Sequence, residues 1–237
     1  LDGGADATKL FVMTPQGGGK SAFMAEDVAR SAAEETHRRG RLVFAHPTDI
    51  QGMRIAIASG VDVLVHTTIG DAKTVWEPEL IADLLKHDMA VIPTLKLWPY
   101  ELAKAKLEQR IIDLATGVAV QQLHDFSLAG GQLLFGTDVG YMTDYDPSDE
   151  YRLMARALTP IQILASLTTA PAARWREGEK RGRIAAGMDA DLVVLEADPA
   201  ADAANFAKVR CTIRGGRVIY EARPEGGWVS PHEDITE

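Results

Sequence analysis

Three residues with metal-binding side chains stand directly after short apolar runs. His46, His66 and Asp138 each follow a segment of mainly aliphatic residues with the character of a buried β-strand. Because the carboxyl ends of parallel strands share one face of a sheet, we expect these three side chains to lie close together. Imidazole and carboxylate are the usual ligands of catalytic Zn²⁺, which keeps one position open for water. A lone strand-end histidine is more often a satisfied buried side chain, but three equivalent positions favour a hydrolytic metal site.

Other polar residues in the sequence carry weaker signals. Four histidines are interpreted as structural or solvated, because they fall in predicted helices, at helix ends or in the polar tail: His37, His87, His124 and His232. The glycine run Gly17–Lys20 lacks the spacing of a phosphate-binding P-loop. It is therefore predicted to be a flexible loop over the carboxyl face of the sheet.

The elements that would position the three candidate ligands alternate between strand and helix. This alternation is typical of βα units around a parallel sheet and predicts an α/β fold. The predicted strands are Leu10–Met13, Leu42–Ala45, Val61–Val65, Ala90–Ile92 and Leu133–Phe135. The predicted helices are Ala25–Arg39, Ile50–Ser59, Pro78–His87, Leu102–Ala129 with a possible break near Gly117, and Thr159–Thr169, followed by a short segment from Pro171. Five units cannot close an eight-stranded barrel, so either the sheet is open and doubly wound or the first units are missing.

A second architecture is predicted from about Gly182. Short alternating strands are expected at Asp191–Leu195 and in a hairpin that joins Val209–Arg214 to Arg217–Tyr220 across Gly215-Gly216. The predicted domains are therefore residues 1–178 as the α/β portion, 179–222 as the β portion and 223–237 as a polar tail.

Composition limits the kinds of partner that the chain can have. Of its 237 residues, 46% are hydrophobic and 25% are charged, which is typical of a globular protein rather than a disordered one. The net charge of −9 argues against a nucleic-acid partner, and no apolar run is long enough to predict a membrane span. One cysteine, Cys211, excludes an internal disulfide and a cysteine-based zinc site but does not fix the compartment. The chain opens on Leu1 rather than Met, and we expect further residues upstream.

Several motifs, in this order, resemble the amidohydrolase superfamily, in particular its imidazolonepropionase-like and prolidase-like branch. The matching segments are Gly4–Lys9 with Gly17–Gly19, Ala33–His46, Ala58–Asp62 leading to His66, Phe135–Asp138, Leu158–Ala172 and Gly182–Leu195. The Phe-Gly-Thr-Asp motif that ends at Asp138 is the most specific of them. The resemblance extends from Gly4 to about Tyr220.

The resemblance implies a fold and a mechanism. The five strands would be strands four to eight of a TIM-type (β/α)8 barrel, and the last segment would be the C-terminal part of a small β-sandwich. One or two divalent metals, most simply Zn²⁺, would be held by His46, His66, Asp138 and Lys9, the last as a carboxylated, metal-bridging lysine. Asp138 would also be the catalytic base for the hydrolysis of an amide, peptide or cyclic amide bond in a small-molecule substrate. Recognition residues on strand-end loops would include Lys96, Trp98, Tyr100, Tyr141 and Tyr145.

The chain also departs from the family pattern. The family's first strand carries a His-x-His metal pair, and this sequence contains no His-x-His. The first three barrel strands and the N-terminal part of the sandwich are also absent, which would expose apolar strand edges and favour association, for example as a homo-oligomer. One alternative is therefore a catalytically inactive amidohydrolase-like remnant that acts as a binding or assembly module. A second alternative is a doubly wound protein with a nucleotide cofactor, although no G-x-G-x-x-G stands between a strand and a helix.

Overall fold

A parallel sheet forms the centre of the first part of the chain. The computed structural model describes residues 1–18, 20–69 and 75–222. Four parallel strands lie side by side in this sheet: β1 (Ala7–Phe11), β4 (Leu42–His46), β5 (Val63–Val65) and β6 (Ala90–Ile92). The predicted fifth strand is reduced to one parallel bridge between Val91 and Leu133. The predicted α/β class with a parallel sheet is confirmed.

The order of the strands distinguishes between the two predicted arrangements. Each strand pairs with the next parallel strand along the chain, in the order β1-β4-β5-β6. A doubly wound sheet reverses its order at a switch point, where the ligand binds. The described part of the sheet has no such reversal, which argues against the nucleotide-cofactor alternative. Closure into a partial barrel stays a prediction.

The first helices of the chain lie close to their predicted positions. The first part of the chain contains α1 (Glu26–Arg38), α2 (Ile50–Ala58), α3 (Pro78–Lys86), α4 (Leu97–Lys104) and α5 (Gln109–Leu128). The first three begin and end within one residue of the prediction. Local chemistry explains two of these starts, because the Asp49 carboxylate accepts a hydrogen bond from the Gly52 amide and Pro78 occupies the first turn of α3.

Two segments differ from the prediction. The long helix predicted at 102–129 is two helices, because the chain turns between α4 and α5 at Lys106, which has a φ of 59°. Gly117 lies inside α5 and does not break it. The glycine run is part of an antiparallel hairpin of β2 (Met13–Gly17) and β3 (Lys20–Phe23) rather than a loop, with Gly19 outside the described residues.

Alternation along β1 and β4 separates a helix-facing side from a site-facing side. Val43 and Ala45 are fully buried, and Thr8, the register partner of Val43, accepts a hydrogen bond from the Thr36 hydroxyl of α1. The intervening residues of the two strands therefore face away from α1, since successive side chains alternate across a strand. These intervening residues include Lys9 and His46.

The second part of the chain is a separate compact unit. One unit contains Leu1–Tyr145 with Arg156–Leu158, and the other contains Asp146–Ala155 and the chain from Thr159 onward. The second unit has α6 (Ser148–Met154), α7 (Pro160–Leu167), α8 (Thr169–Arg174), a 3₁₀ helix (Ala203–Ala207) and an antiparallel sheet of β7 (Leu192–Leu195), β8 (Val209–Arg214) and β9 (Arg217–Glu221). The predicted hairpin across Gly215-Gly216 is confirmed, whereas α6 was not predicted.

The predicted domain boundary near residue 178 stays a prediction. The predicted polar tail, residues 223–237, lies outside the described residues. No helix in the described ranges is both long enough and apolar enough to cross a membrane.

Candidate functional site

Two predicted ligands meet at the carboxyl end of the sheet. His46 is the last residue of β4, and His66 directly follows the neighbouring strand β5. Their imidazole rings lie edge to face with centroids 4.6 Å apart. The pairing of adjacent parallel strands therefore brings together two histidines that are 20 positions apart in the sequence.

The other two predicted site residues act electrostatically on this pair. Lys9 in β1 interacts with both imidazoles, and Asp138 interacts with His46. The Lys9 side chain is exposed, and its Nζ atom lies 5.5 Å from the centre of the Phe11 ring. That ring in turn lies 5.0 Å from the His46 ring. All four predicted residues are therefore in one region, although only the histidine pair is in direct contact.

The surroundings hold both imidazoles in the neutral form. Burial lowers the pKa of His46 to about 4, with Lys9 acting in the same direction and Asp138 opposing it. The pKa of His66 is lowered to about 2, mainly by burial and to a smaller extent by positive charge on His46 and Lys9. A metal binds the neutral imidazole, so both rings are in the state that metal binding requires at neutral pH.

Hydrogen bonding assigns the tautomer of His66. Its Nδ1 atom lies 2.6 Å from the Thr94 hydroxyl, and that hydroxyl donates to the Pro93 carbonyl 2.9 Å away. Since the hydroxyl proton is used, Nδ1 carries the ring proton and donates to Thr94. The unprotonated Nε2 atom is buried and has no hydrogen-bond partner among the described residues. A hydrogen bond from the second ring nitrogen to a neighbouring group is the usual way in which proteins orient a metal-binding histidine.

The histidine pair fits a divalent cation, but the described residues do not complete a site. A buried nitrogen acceptor without a partner costs free energy unless a ligand satisfies it, and Nε2 of His66 is such an atom. Within the described ranges, no group of three or more His, Cys, Asp or Glu side chains is arranged to hold a metal ion. Metal binding by His46, His66, Asp138 and Lys9 therefore stays a prediction.

Strained backbone marks the same strand ends. His66 and Asp138 have φ values of 86° and 60°, in the left-handed region that residues with a side chain rarely adopt. Such conformations persist only where the surrounding structure fixes them, and they concentrate at functional sites. Two of the predicted metal ligands therefore have a strained backbone.

Neighbouring side chains that sequence reasoning missed hold the segment after β5. Thr94 bonds His66, and Gln122 of α5 bonds the backbone of Thr68, which is 54 positions away. No local pattern indicated either residue, because their partners are distant in the sequence. The Trp98 indole nitrogen donates to the Thr67 hydroxyl, and its ring lies 6.5 Å from that of His66.

The predicted recognition residues have different surroundings. Lys96 is buried and paired with Asp144, with Nζ 2.7 Å from a carboxylate oxygen. Tyr100 and Tyr141 form an edge-to-face pair with ring centroids 6.4 Å apart, and Tyr145 is largely exposed. Trp98 hydrogen-bonds Thr67 and lies near His66, as described above, and contact of any of the five residues with a substrate stays a prediction.

The remaining histidines lie away from this region. His37 in α1 contacts the Asp62 carboxylate at 2.8 Å, and His87 and His124 are exposed at the end of α3 and within α5. His232 lies outside the described residues.

The candidate site lies at the carboxyl ends of parallel strands, where α/β barrel enzymes place their active sites. Comparison with known proteins gives a family match for part of the chain. Residues 129–220, which include Asp138, match the model of the amidohydrolase family. The predicted resemblance to amidohydrolases is thereby confirmed.

Individual proteins are similar to this chain in sequence or in fold. Ochratoxinase from Aspergillus niger is 23% identical over 207 residues, which cover 82% of this chain and 41% of that protein. Its crystal structure is similar in fold, with a TM-score of 0.74 at 20% identity over 94% of this chain and 53% of that one. A crystal structure of a Xaa-Pro dipeptidase with bound methionine gives a TM-score of 0.77 at 22% identity, over 93% of this chain and 56% of that one. The chain thus spans about half the length of the relatives that it matches.

Proposed function

We propose that this chain is part of a metal-dependent amidohydrolase that hydrolyses an amide, peptide or cyclic amide carbon–nitrogen bond. The observation that carries the proposal is the buried, unpartnered Nε2 atom of His66 beside the neutral ring of His46. A buried nitrogen acceptor without a partner, beside a second neutral imidazole, is a poor arrangement for a hydrophobic core and a good one for a divalent cation.

The residues of the chain would divide the work between binding and proton transfer. His46 and His66 would hold the metal, and Thr94 would keep the Nδ1 proton of His66 in place. Zn²⁺, when bound, polarises a carbonyl group and lowers the pKa of water to about 7. Asp138, whose charge already acts on His46, would take a proton at its carboxylate and deliver it to the leaving nitrogen.

Lys9 would be a further ligand of the site, as a carboxylated lysine, if two metals bind. Its place in β1, on the face that carries His46, supports this role. The further ligands would come from parts of the protein beyond those described, as the greater length of the matched relatives suggests.

The substrate is proposed to be a small amide or dipeptide. The similarity in fold to a Xaa-Pro dipeptidase supports this choice. The inactive binding-module alternative is not favoured, because the named relatives are hydrolases and the strained, neutral His66 leaves a buried nitrogen without a partner.

The proposal is tested by a substrate screen with a matched pair of variants. Zinc-loaded protein is incubated with a panel of dipeptides and N-acyl amino acids, and the released amine is quantified. Asp138→Asn is expected to lower turnover by about 10²- to 10⁴-fold, the usual contribution of general acid–base catalysis. Asp149→Asn, at an exposed aspartate paired with Arg152, should leave turnover unchanged. Equal turnover in Asp138→Asn and in the parent protein would contradict the assigned role.

A further inference from the structure

The three residues from His66 to Thr68 are held by a side chain from a distant helix. Gln122 of α5 is completely buried, and its side-chain amide hydrogen-bonds both the N–H and the C=O group of Thr68. The Gln122 Oε1 atom accepts from the Thr68 amide at 2.9 Å, and the Gln122 Nε2 atom donates to the Thr68 carbonyl. The side-chain amide thus bonds both backbone groups of Thr68, which the short strand β5 does not reach.

Backbone hydrogen bonds from the end of β6 hold the first two residues of the same segment. The His66 amide donates to the Ile92 carbonyl at 2.8 Å, and the Thr67 amide donates to the Pro93 carbonyl at 3.2 Å. The segment is therefore fixed by the end of β6 at its first two residues and by Gln122 at the third.

Two tryptophans secure the threonine side chains. The Trp76 indole nitrogen donates to the Thr68 hydroxyl at 2.9 Å, and the Trp98 indole nitrogen donates to the Thr67 hydroxyl at 2.7 Å. Both indoles are buried, so each bond also satisfies a donor that would otherwise lack a partner. We call Gln122, Trp76 and Trp98 with Thr67 and Thr68 the clamp.

The clamp directly follows a strained residue of the backbone. His66 has a φ of 86°, and a residue with a side chain keeps such a conformation only where its neighbours determine it. We propose that Gln122 is a positioning residue for His66, fixing the peptide two residues downstream so that the imidazole keeps its contact with the ring of His46. The inference rests on the proposed function, since it gives the conformation of His66 a purpose in metal binding.

A purely structural role for Gln122 predicts a different outcome. A buried glutamine needs hydrogen-bond partners wherever it lies, and its loss would lower stability in any case. Only a positioning role also changes the imidazole of His66, because Gln122 hydrogen-bonds Thr68, two residues beyond it. The state of that imidazole and the affinity for zinc are therefore the informative readouts.

The test compares Gln122→Met with two controls. Gln121→Met makes the same change one residue earlier, at an exposed site whose amide bonds Asp125. Leu84→Ala removes a fully buried side chain of α3 and serves as a control for lost stability. Zinc affinity is measured by competition with a chromophoric chelator. The tautomer of His66 is read from the ¹⁵N shifts of its imidazole in metal-free protein, assigned by their loss in His66→Ala.

A positioning role predicts that Gln122→Met weakens zinc binding by roughly 10- to 100-fold, as the loss of other supporting residues does. It also predicts that the His66 shifts move from a single Nδ1–H tautomer towards a mixture, with both controls like the parent. If Gln122→Met does not fold, Gln122→Glu keeps the acceptor for the Thr68 amide and should show the same changes to a smaller degree.

Other outcomes separate the two proposals. If the parent binds no zinc, the metal-dependent function fails, and the imidazole shifts alone decide the role of Gln122. Unchanged His66 shifts in a folded Gln122 variant, with reduced stability alone, would overturn the positioning role.

Discussion

The Nδ1 atom of His66 lies 2.6 Å from the hydroxyl of Thr94, and both residues have a positive φ, of 86° and 45°. The two residues stand beyond the ends of neighbouring strands, so this hydrogen bond joins two strained strand ends. It leaves one nitrogen of the imidazole free and aimed away from Thr94. The pair is therefore the part of the site in which backbone strain, tautomer and ring orientation are coupled.

Replacing Thr94 by Val should weaken metal binding while the fold is kept. Valine has nearly the same shape but cannot accept a hydrogen bond from Nδ1–H, so the ring of His66 loses its orientation. Thr94→Ser keeps the hydroxyl and is the matched control. We expect a rise of about 10- to 100-fold in the zinc dissociation constant for Thr94→Val and little change for Thr94→Ser. Equal affinities for the two variants would show that Thr94 does not orient His66.

Stability of the metal-free chain should fall as the pH is lowered through the weakly acidic range. Both histidines have a pKa of about 6.5 when unfolded and lower values when folded, about 4 for His46 and about 2 for His66. The unfolded state therefore binds more protons below pH 6.5. The contribution of the neutral imidazoles is fully present above pH 6.5 and is progressively lost as the pH falls towards the folded pKa values, by up to about 1.4 kcal/mol per pH unit for each proton.

Urea unfolding at pH 7.5 and pH 5.0 measures this effect. Carboxylates also titrate near the lower value, so the parent is compared with His66→Met, which keeps those carboxylates and removes one imidazole. The parent should lose more stability between the two pH values than His66→Met does. The reverse order would mean that His66 is protonated in the folded chain.

Gly52 should be intolerant of a side chain because α2 packs against the loop that follows His46. A Cβ atom at Gly52 would lie 2.3 Å from the Pro47 carbonyl oxygen. Gly52→Ala must therefore displace the residue next to His46, and we expect a loss of about 1–3 kcal/mol in the free energy of unfolding together with weaker zinc binding.

Gly117→Ala is the matched control for this change. Gly117 lies within α5, and a Cβ atom there would meet nothing within 4 Å. The substitution should stabilise the chain by about 0.5–1 kcal/mol, since alanine is the better helix former. Similar unfolding free energies for the two variants would contradict the close contact at Pro47.

The ion pair between Lys96 and Asp144 should restrain the segment that follows Asp138. Lys96 is buried, whereas the Asp144 side chain is 58% exposed and stays hydrated when the pair is lost. Lys96→Met should therefore leave global stability and zinc content nearly unchanged. It should speed amide hydrogen exchange in residues 139–145 by up to about fivefold, the size expected for a pair worth about 1 kcal/mol. Lys86→Met, at an exposed position of α3, is the control, and equal exchange in both variants would exclude the restraint.

Much of the fold could be predicted from the sequence because its signals are local. Pro78 at the start of α3 and the glycines of the β8–β9 turn determine nearby backbone in ways that depend little on the rest of the protein. The end of α4 could not be predicted in this way, because the turn at Lys106 has neither Gly nor Pro to mark it. Gly117 was predicted to break the helix instead. A glycine inside a helix is tolerated when residues before and after it are buried, as they are in α5.

The candidate site could be predicted only in part for a similar reason. His46 and His66 were found because a strand end is visible in the sequence and adjacent parallel strands bring their ends together. Thr94 and Gln122 were missed, since the hydrogen bonds that give them a role connect residues 28 and 54 positions apart. Supporting residues of this kind become visible only when the tertiary contacts are known.

The zinc content of the purified chain tests the central claim most directly. Elemental analysis would compare the parent with His46→Ala, His66→Ala and the control His124→Ala, which changes an exposed histidine of α5. We predict bound zinc close to stoichiometric in the parent and the control, and its loss in the two strand-end variants. Absence of zinc from the parent after equilibration with the metal, or its retention by His66→Ala, would contradict the metal site proposed here.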